Sequence, residues 1–152
     1  MAKLETKDTS AIEYFSLIDG RINKLNSFIK DIIDLSRNSR LELVKEKISI
    51  KNLVVSVLEN NQYLENAEAI TFDTVNILEE IVEIDRARLE VVLNNLISNA
   101  IKYRNKDIES FVKIEAVQQH NMLEMKIIDN GVGIEESQQD KVFEMFYRGN
   151  EE

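Results

Sequence analysis

Asparagine and lysine recur at helical spacing in an otherwise apolar segment, LNNLISNAIKY at residues 93–103. Asn95, Asn99 and Lys102 stand at i, i+4 and i+7, so they share one stripe if the segment is a helix. Asparagine favours caps and turns, so asparagines in mid-helix need another explanation. Carboxamide oxygens suit a hard cation such as Mg²⁺ bridging phosphates, and an ammonium suits the phosphates themselves. The stripe predicts a phosphate site, and the alternative is an ordinary solvated helix face.

Two glycines follow an apolar run in the segment DNGVGI, from Asp129 to Ile134. Gly131 and Gly133 permit a tight turn and a close approach of the backbone to a ligand. Asp129, at the end of the apolar run, is placed to accept a hydrogen bond from an exocyclic amine. The segment predicts a ligand-binding loop, and the alternative is a simple turn between a strand and a loop.

Aromatic residues and a cation lie close together in KVFEMFYRG, residues 141–149. Phe143 and Phe146 are three residues apart, which places them on one side of a helical turn, and Arg148 follows. Such a pair contributes either to a ligand site or, more commonly, to an apolar core.

The helix that carries the asparagine stripe has a clear beginning, because Asp85 is a good N-cap. Its apolar face is expected to point to the core and contains Leu89, Val92, Leu93, Leu96, Ile97 and Ala100. The helix is expected to extend to about Tyr103.

The chain begins with a heptad pattern. Its apolar positions are Ala11, Phe15, Ile18, Ile22, Leu25, Ile29 and Ile32. Such spacing predicts a long helix packed in a coiled coil or helical bundle, because a single helix cannot bury the seam alone. The alternative is a core helix of one globular domain. Residues 38–40 are expected to end the helix, so residues 1–40 and 41–152 are predicted as separate units.

The other elements mix strand and helix. Strands are predicted at residues 48–50, 70–75 and 81–84, a helix at residues 53–64, and a hairpin from residues 111–117 and 122–128 that turns at residues 119–121. The expected fold class is α+β, a two-layer α/β sandwich with helices against one face of a sheet.

Composition excludes several classes of function. The 152 residues carry a net charge of −9 and contain no cysteine. An acidic body repels a phosphate backbone, so nucleic-acid binding is not expected. Without cysteine there is no disulfide framework, thiolate metal site or cysteine nucleophile. No apolar run reaches the roughly 18 residues of a membrane span. We therefore expect a cytoplasmic segment that contacts neither nucleic acid nor membrane.

Together, the three motifs in this order resemble the ATP-binding domain of sensor histidine kinases, a branch of the GHKL ATPases with the Bergerat fold. Residues 93–103 resemble the N box, residues 129–134 the first glycine box and residues 141–149 the F box of that family. The resemblance covers nearly the whole chain, because the heptad helix resembles the second helix of the dimerisation and phosphotransfer domain.

The resemblance implies ATP and Mg²⁺ as cofactors and a role for each motif residue. The phosphate end would be contacted by Asn95, by Lys102 and, through Mg²⁺, by Asn99. The adenine end would be contacted by Tyr103 and by Asp129, which reads the adenine amino group, with Gly131, Gly133 and Ile134 framing the pocket. A mobile lid would begin with Phe143, Phe146 and Arg148.

The sequence departs from the family in two places. The phosphoacceptor histidine is absent, since the only histidine, His120, falls at the predicted hairpin turn, where we expect it to be exposed. The chain also ends where the family continues towards a second glycine box. We therefore expect an inactive fragment of a C-terminally incomplete domain that binds Mg·ATP weakly or not at all.

The resemblance also implies partners. We expect a homodimer through the N-terminal helix. The parent protein, which is expected to autophosphorylate a histidine, would pass the phosphoryl group to a response-regulator receiver domain. Its sequence outside this segment would decide whether it is membrane-anchored. The alternatives are another GHKL ATPase, an anti-sigma-factor kinase, or a non-catalytic helical dimerisation module with a degenerate ATP site.

Overall fold

The structure is a computed structural model that describes residues 42–120 and 122–142, together with positions 11, 12, 14, 15, 17–22, 25, 26, 29, 32 and 33. The chain divides into two compact units, Met1–Leu43 and Val44–Glu152.

In the first unit, every described position between residues 11 and 33 is helical, and all of them except Ala11 are exposed. The heptad side chains share this exposure, with Ile18 at 51% and Leu25 at 58% of their full accessible surface. The apolar seam is therefore uncovered in a single copy of the unit. The full length of the helix and its role in dimerisation stay predictions.

The second unit mixes helices and strands, as predicted. Its strands are β1 (Glu46–Ser49), β2 (Ile70–Asp73), β3 (Ile81–Ile84), β4 (Ser110–Gln119) and β5 (Met122–Asp129), and its helices are α1 (Ile50–Asn61), α2 (Arg86–Lys102) and the single turn α3 (Glu136–Gln139). A 3-10 turn, Ala67–Ala69, precedes β2. The α+β class is confirmed. None of the described helices combines the length and the apolar character that a membrane crossing requires.

The described strands form two sheets. One is an antiparallel pair of β1 with β3, and the other has the order β2-β4-β5. Strand β4 pairs in parallel with β2 and antiparallel with β5, and the predicted hairpin of β4 and β5 is confirmed. The hairpin turns at His120, which has a φ of 48° and is exposed. Sequence analysis predicted helices against the face of one sheet and did not foresee the separate β1–β3 pair.

Side-chain caps begin both long helices. The Ser49 hydroxyl accepts a hydrogen bond from the Asn52 N–H at the start of α1, at 3.3 Å. The Asp85 carboxylate accepts from the Arg88 N–H at the start of α2, at 3.1 Å, and this confirms the predicted N-cap. Each cap satisfies one of the donors that the first turn of a helix leaves unpaired.

The core lies between the two long helices and the larger sheet. Its fully buried side chains of greatest volume are Ile50, Val54 and Val57 of α1, Leu93 and Ile97 of α2, and Val112 and Ile114 of β4. Burial of apolar surface is the main favourable contribution to folding, at roughly 25 cal/mol per Å². The burial of these side chains therefore fixes the orientation of the two helices on the sheet.

The structure corrects several local predictions. Val92 and Leu96 of α2 are 50% and 43% exposed, because they lie beside the buried stripe of Leu93 and Ile97 and not within it. Ile50 begins α1 instead of ending β1, since Ser49 caps the helix there. Leu64 lies beyond the end of α1 and is 41% exposed.

Candidate nucleotide-binding site

One face of α2 presents polar side chains to solvent. Asn95, Asn99 and Lys102 are all exposed, whereas Leu93 and Ile97 on the other side of the helix are buried. The 3.6-residue period of the helix explains this division, because positions i, i+4 and i+7 lie along one line of its surface. Two amide groups and one ammonium therefore lie along the last two turns of the helix.

Tyr103 ends α2 as its C-cap. Its backbone N–H donates to the carbonyl oxygen of Asn99 at 2.9 Å, and its side chain is 42% exposed. The Lys102 ammonium donates to the Tyr103 hydroxyl at 2.8 Å and lies 4.5 Å from the centroid of the ring. An aromatic ring and a cation thus stand together at the end of the polar face.

The glycine loop, residues 130–134, packs directly against this end of α2. The N–H of Val132 donates to the carbonyl oxygen of Tyr103 at 3.0 Å. A Cβ atom on Gly131 would lie 2.5 Å from the same oxygen, so only glycine permits this approach. Gly133 has a φ of +73°, a left-handed conformation that also favours glycine.

Asp129 ends β5 immediately before the glycine loop. It is paired with Val112 across the two strands, and directly opposed residues project from the same face of a sheet. Val112 is 1% exposed and belongs to the core beneath the helices, so the Asp129 side chain lies on the helix-covered face. Its Oδ1 accepts from the Gly131 N–H at 2.9 Å, and the residue stays open to solvent.

The structure therefore brings the first two motifs together at one end of α2. Tyr103 contacts the loop that contains Gly131, and Asp129 is hydrogen-bonded to the same glycine. Ile134, a predicted pocket residue, is 55% exposed. The predicted lid residues Phe143, Phe146 and Arg148 lie outside the described residues.

Two asparagines that hold this site in place were not predicted from the sequence. The Asn94 Oδ1 accepts from the Asn61 side chain at 2.8 Å, which joins α2 to α1. The sequence did contain an indication for Asn94, because it lies three residues before the buried Ile97 and therefore on the same side of the helix. Asn130 makes two hydrogen bonds to the backbone next to β4, and nothing in the sequence alone distinguished it from an ordinary turn residue.

These residues fit the groups that the resemblance implies. Neutral carboxamide oxygens suit Mg²⁺ when phosphate oxygens complete its coordination, and an ammonium suits the phosphates. A carboxylate suits an exocyclic amine, and an exposed aromatic ring suits a purine. At Gly131, the backbone of the loop lies so close to the helix end that a Cβ atom would fill the space between them.

Comparisons with known proteins identify similar chains. Residues 84–152 match the family described as histidine kinase-, DNA gyrase B- and HSP90-like ATPase. The sensor protein kinase WalK of Staphylococcus saprophyticus is 29% identical over 143 residues, which are 91% of this chain and 23% of WalK. The chain thus spans less than a quarter of the length of this curated relative.

Solved structures share the fold. The histidine kinase AdeS of Acinetobacter baumannii is 27% identical and superposes with a TM-score of 0.71, over 86% of this chain and 64% of that chain. The histidine kinase ThkA, solved in complex with the response regulator protein TrrA, has a TM-score of 0.68 at 24% identity, over 89% of this chain and 40% of that chain. The family match, the curated relative and the shared fold lead to one conclusion: this chain contains the ATP-binding domain of a sensor histidine kinase.

Proposed function

We propose that the exposed end of α2 and the glycine loop together bind Mg·ATP. The observation that carries this proposal is the 3.0 Å hydrogen bond from the Val132 N–H to the Tyr103 carbonyl oxygen, since it joins the two motifs into one site. Phosphoryl transfer depends on positioning and charge neutralisation, and a rigid junction between helix and loop supplies positioning.

The adenine base is assigned to the loop side of the site. Asp129 lies on the helix-covered face of β5, where its free carboxylate oxygen accepts a hydrogen bond from the adenine amino group. Its Oδ1 is already held by the Gly131 N–H, so the carboxylate has a fixed direction. The exposed ring of Tyr103 supplies an apolar contact for the base or ribose.

The phosphates are assigned to the polar face of α2. Asn99 would supply an amide oxygen to Mg²⁺, and Asn95 lies one turn away on the same exposed stripe. Lys102 would exchange its contact with the Tyr103 hydroxyl for a phosphate oxygen, because an ammonium forms a stronger hydrogen bond with an anion than with a neutral hydroxyl. Magnesium then neutralises part of the charge on the phosphates.

For the whole protein, we propose ATP-dependent autophosphorylation of a histidine and transfer of the phosphoryl group to a response regulator. ThkA, which shares this fold, was solved in complex with a response regulator protein. The acceptor histidine is assigned to another part of the protein, because His120 lies at the β4–β5 turn. We further propose a homodimer through the N-terminal unit, and a cytoplasmic location, where ATP is available.

Calorimetric titration of the full chain with Mg·ATP tests this proposal. We expect weak but saturable binding that Asp129→Asn weakens further, by about tenfold or more, because loss of a charged acceptor for the amine costs roughly 1.5–3 kcal/mol. Asp107→Asn is the matched control, since Asp107 is exposed in the α2–β4 connection and belongs to neither motif. The control should bind like the unmodified chain. Absence of saturable binding, or equal losses in both variants, would contradict the proposal.

A further inference from the structure

Asn130 uses its side chain to continue the pairing of β4 and β5. Its Oδ1 accepts from the Phe111 N–H at 2.9 Å, and its Nδ2 donates to the Glu109 carbonyl oxygen at 2.8 Å. Because Val112 is opposite Asp129, Asn130 stands opposite Phe111, one step beyond the end of the ladder. The carboxamide therefore takes the place of a backbone peptide group on the neighbouring strand.

Because the Asn130 side chain continues the pairing, the backbone of the glycine loop can leave the sheet. Beyond Asn130, the Gly131 N–H turns to Asp129 and the Val132 N–H turns to the Tyr103 carbonyl oxygen. The loop is thus held on one side to β4, through Asn130, and on the other side to α2, through Val132. Gly131 lies between these two attachments, and its N–H holds the Asp129 carboxylate, so the direction of the carboxylate depends on both.

The chemistry of this position favours asparagine. The two backbone groups need one donor and one acceptor, and the carboxamide is the side chain of this length that offers both. An aspartate would keep the acceptor for Phe111 but would turn a second oxygen towards the Glu109 carbonyl oxygen. An alanine would leave both backbone groups without this partner.

We infer that Asn130 is a positioning residue for purine recognition, which acts by fixing the direction of the Asp129 carboxylate. The inference rests on the proposed ATP site and assigns Asn130 no contact with the nucleotide. A correctly aimed carboxylate accepts from the adenine amino group and repels the carbonyl oxygen at the same position of guanine. Loss of Asn130 therefore lowers the preference for ATP over GTP, as well as the affinity for ATP.

The test compares Mg·ATP and Mg·GTP affinities of the full chain with those of Asn130→Ala. We expect the variant to lose about tenfold of the preference for ATP, a factor typical of one net hydrogen bond. Asn99→Ala is expected to weaken both nucleotides equally, because it acts at the phosphate end. Asn105→Ala is the matched control for asparagine removal, since the Asn105 side chain accepts a local hydrogen bond from the Asp107 N–H, within the α2–β4 connection.

A second measurement needs no nucleotide. Hydrogen exchange of the Phe111 amide should accelerate in Asn130→Ala and not in Asn105→Ala, because Phe111 donates to Asn130. If Asn130→Ala does not fold, Asn130→Asp allows the same comparison of Mg·ATP and Mg·GTP affinities, because it retains the acceptor for the Phe111 N–H. An unchanged ATP preference in a folded variant overturns the inference and leaves the ATP site standing. Absence of nucleotide binding by the unmodified chain overturns both.

Discussion

At Gly131, the glycine loop comes so close to α2 that there is no room for a side chain. A Cβ atom would lie 2.5 Å from the Tyr103 carbonyl oxygen and 2.9 Å from the Asp129 Oδ1. Backbone atoms cannot move aside without breaking the junction of loop and helix. We predict that Gly131→Ala lowers the melting temperature by several degrees and abolishes nucleotide binding.

Two other glycines serve as controls for this prediction. Gly133 has open space around its Cβ position but a φ of +73°, so Gly133→Ala should cost about 1 kcal/mol in backbone strain alone. Gly20 is helical with open space, so Gly20→Ala should stabilise the chain by about 0.4–1 kcal/mol. Melting temperatures that rise from Gly131→Ala through Gly133→Ala to Gly20→Ala would support the close approach. Equal stability of Gly131→Ala and Gly20→Ala would contradict it.

Two adjacent asparagines show what sequence could and could not provide at this scale. Asn95 is exposed, as its place in the polar stripe predicted. Asn94 instead accepts a hydrogen bond from Asn61, a buried residue 33 positions earlier in the chain. Local spacing identifies which side of a helix is polar, but it does not identify a partner on another helix. Asn94 and Asn130 were both missed because their partners lie on elements far from them along the chain.

Among the elements, α2 depends on a cap that also holds the start of the second unit. The backbone N–H groups of Arg88 and Val44 donate to the two carboxylate oxygens of Asp85, each at 3.1 Å. These hydrogen bonds, helped by the charge of Arg88, hold the pKa of Asp85 below its ordinary value. One carboxylate thus joins the N-terminus of the helix that carries the candidate site to the segment before β1.

This cap predicts a pH dependence of stability. Because the pKa of Asp85 is lower in the folded chain than in the unfolded chain, its contribution is complete above the unfolded value of about 3.9. The contribution is lost as the pH falls through the lower folded value. Asp85→Ala should therefore unfold at less urea than the unmodified chain at pH 6, and the difference should shrink below about pH 4.

Asp85→Asn is the matched control for the charge. Asparagine retains the capping oxygen but cannot ionise, so its stability relative to alanine should not change with pH through this group. Urea midpoints for the three chains between pH 3 and pH 6 make the comparison. A constant difference between the unmodified chain and Asp85→Ala across that range would show that the Asp85 charge contributes nothing.

Elements with local signals were predictable, whereas the pairing of strands that are distant along the chain was not. The cap at Asp85 and the β4–β5 hairpin follow from neighbouring residues, and both are confirmed. The pairing of β1 with β3 joins strands that are separated by α1 and β2 along the chain. Such contacts depend on the packing of the whole unit. The β-branched content therefore predicted where the strands lie, but not which strands pair in a sheet.

For the whole molecule, the exposed seam of the N-terminal unit predicts self-association. Ile18, Ile22 and Leu25 are 51%, 49% and 58% exposed in a single copy. Apolar residues at heptad spacing associate with another helix because burial removes them from water. We predict that sedimentation equilibrium gives twice the 17.6 kDa mass of one chain.

A charge in the seam should reverse this association. Ile22→Lys places an ammonium in the predicted interface and should shift the population to monomer. Asp19→Asn, at an exposed position of the same helix outside the apolar pattern, is the control and should remain dimeric. A monomeric unmodified chain, or a dimer that Ile22→Lys does not weaken, would contradict a dimer through this seam.

We propose that the end of α2 and the glycine loop bind one nucleotide together, and amide NMR spectra during a Mg·ATP titration report on both motifs at once. We predict saturable shifts with a common midpoint at Asn99, Tyr103 and Gly131. Signals of Lys126 and Glu124, an ion pair on the opposite face of β5, should stay in place. Shifts that are absent, that do not saturate, or that affect one motif with a different midpoint from the other would contradict it.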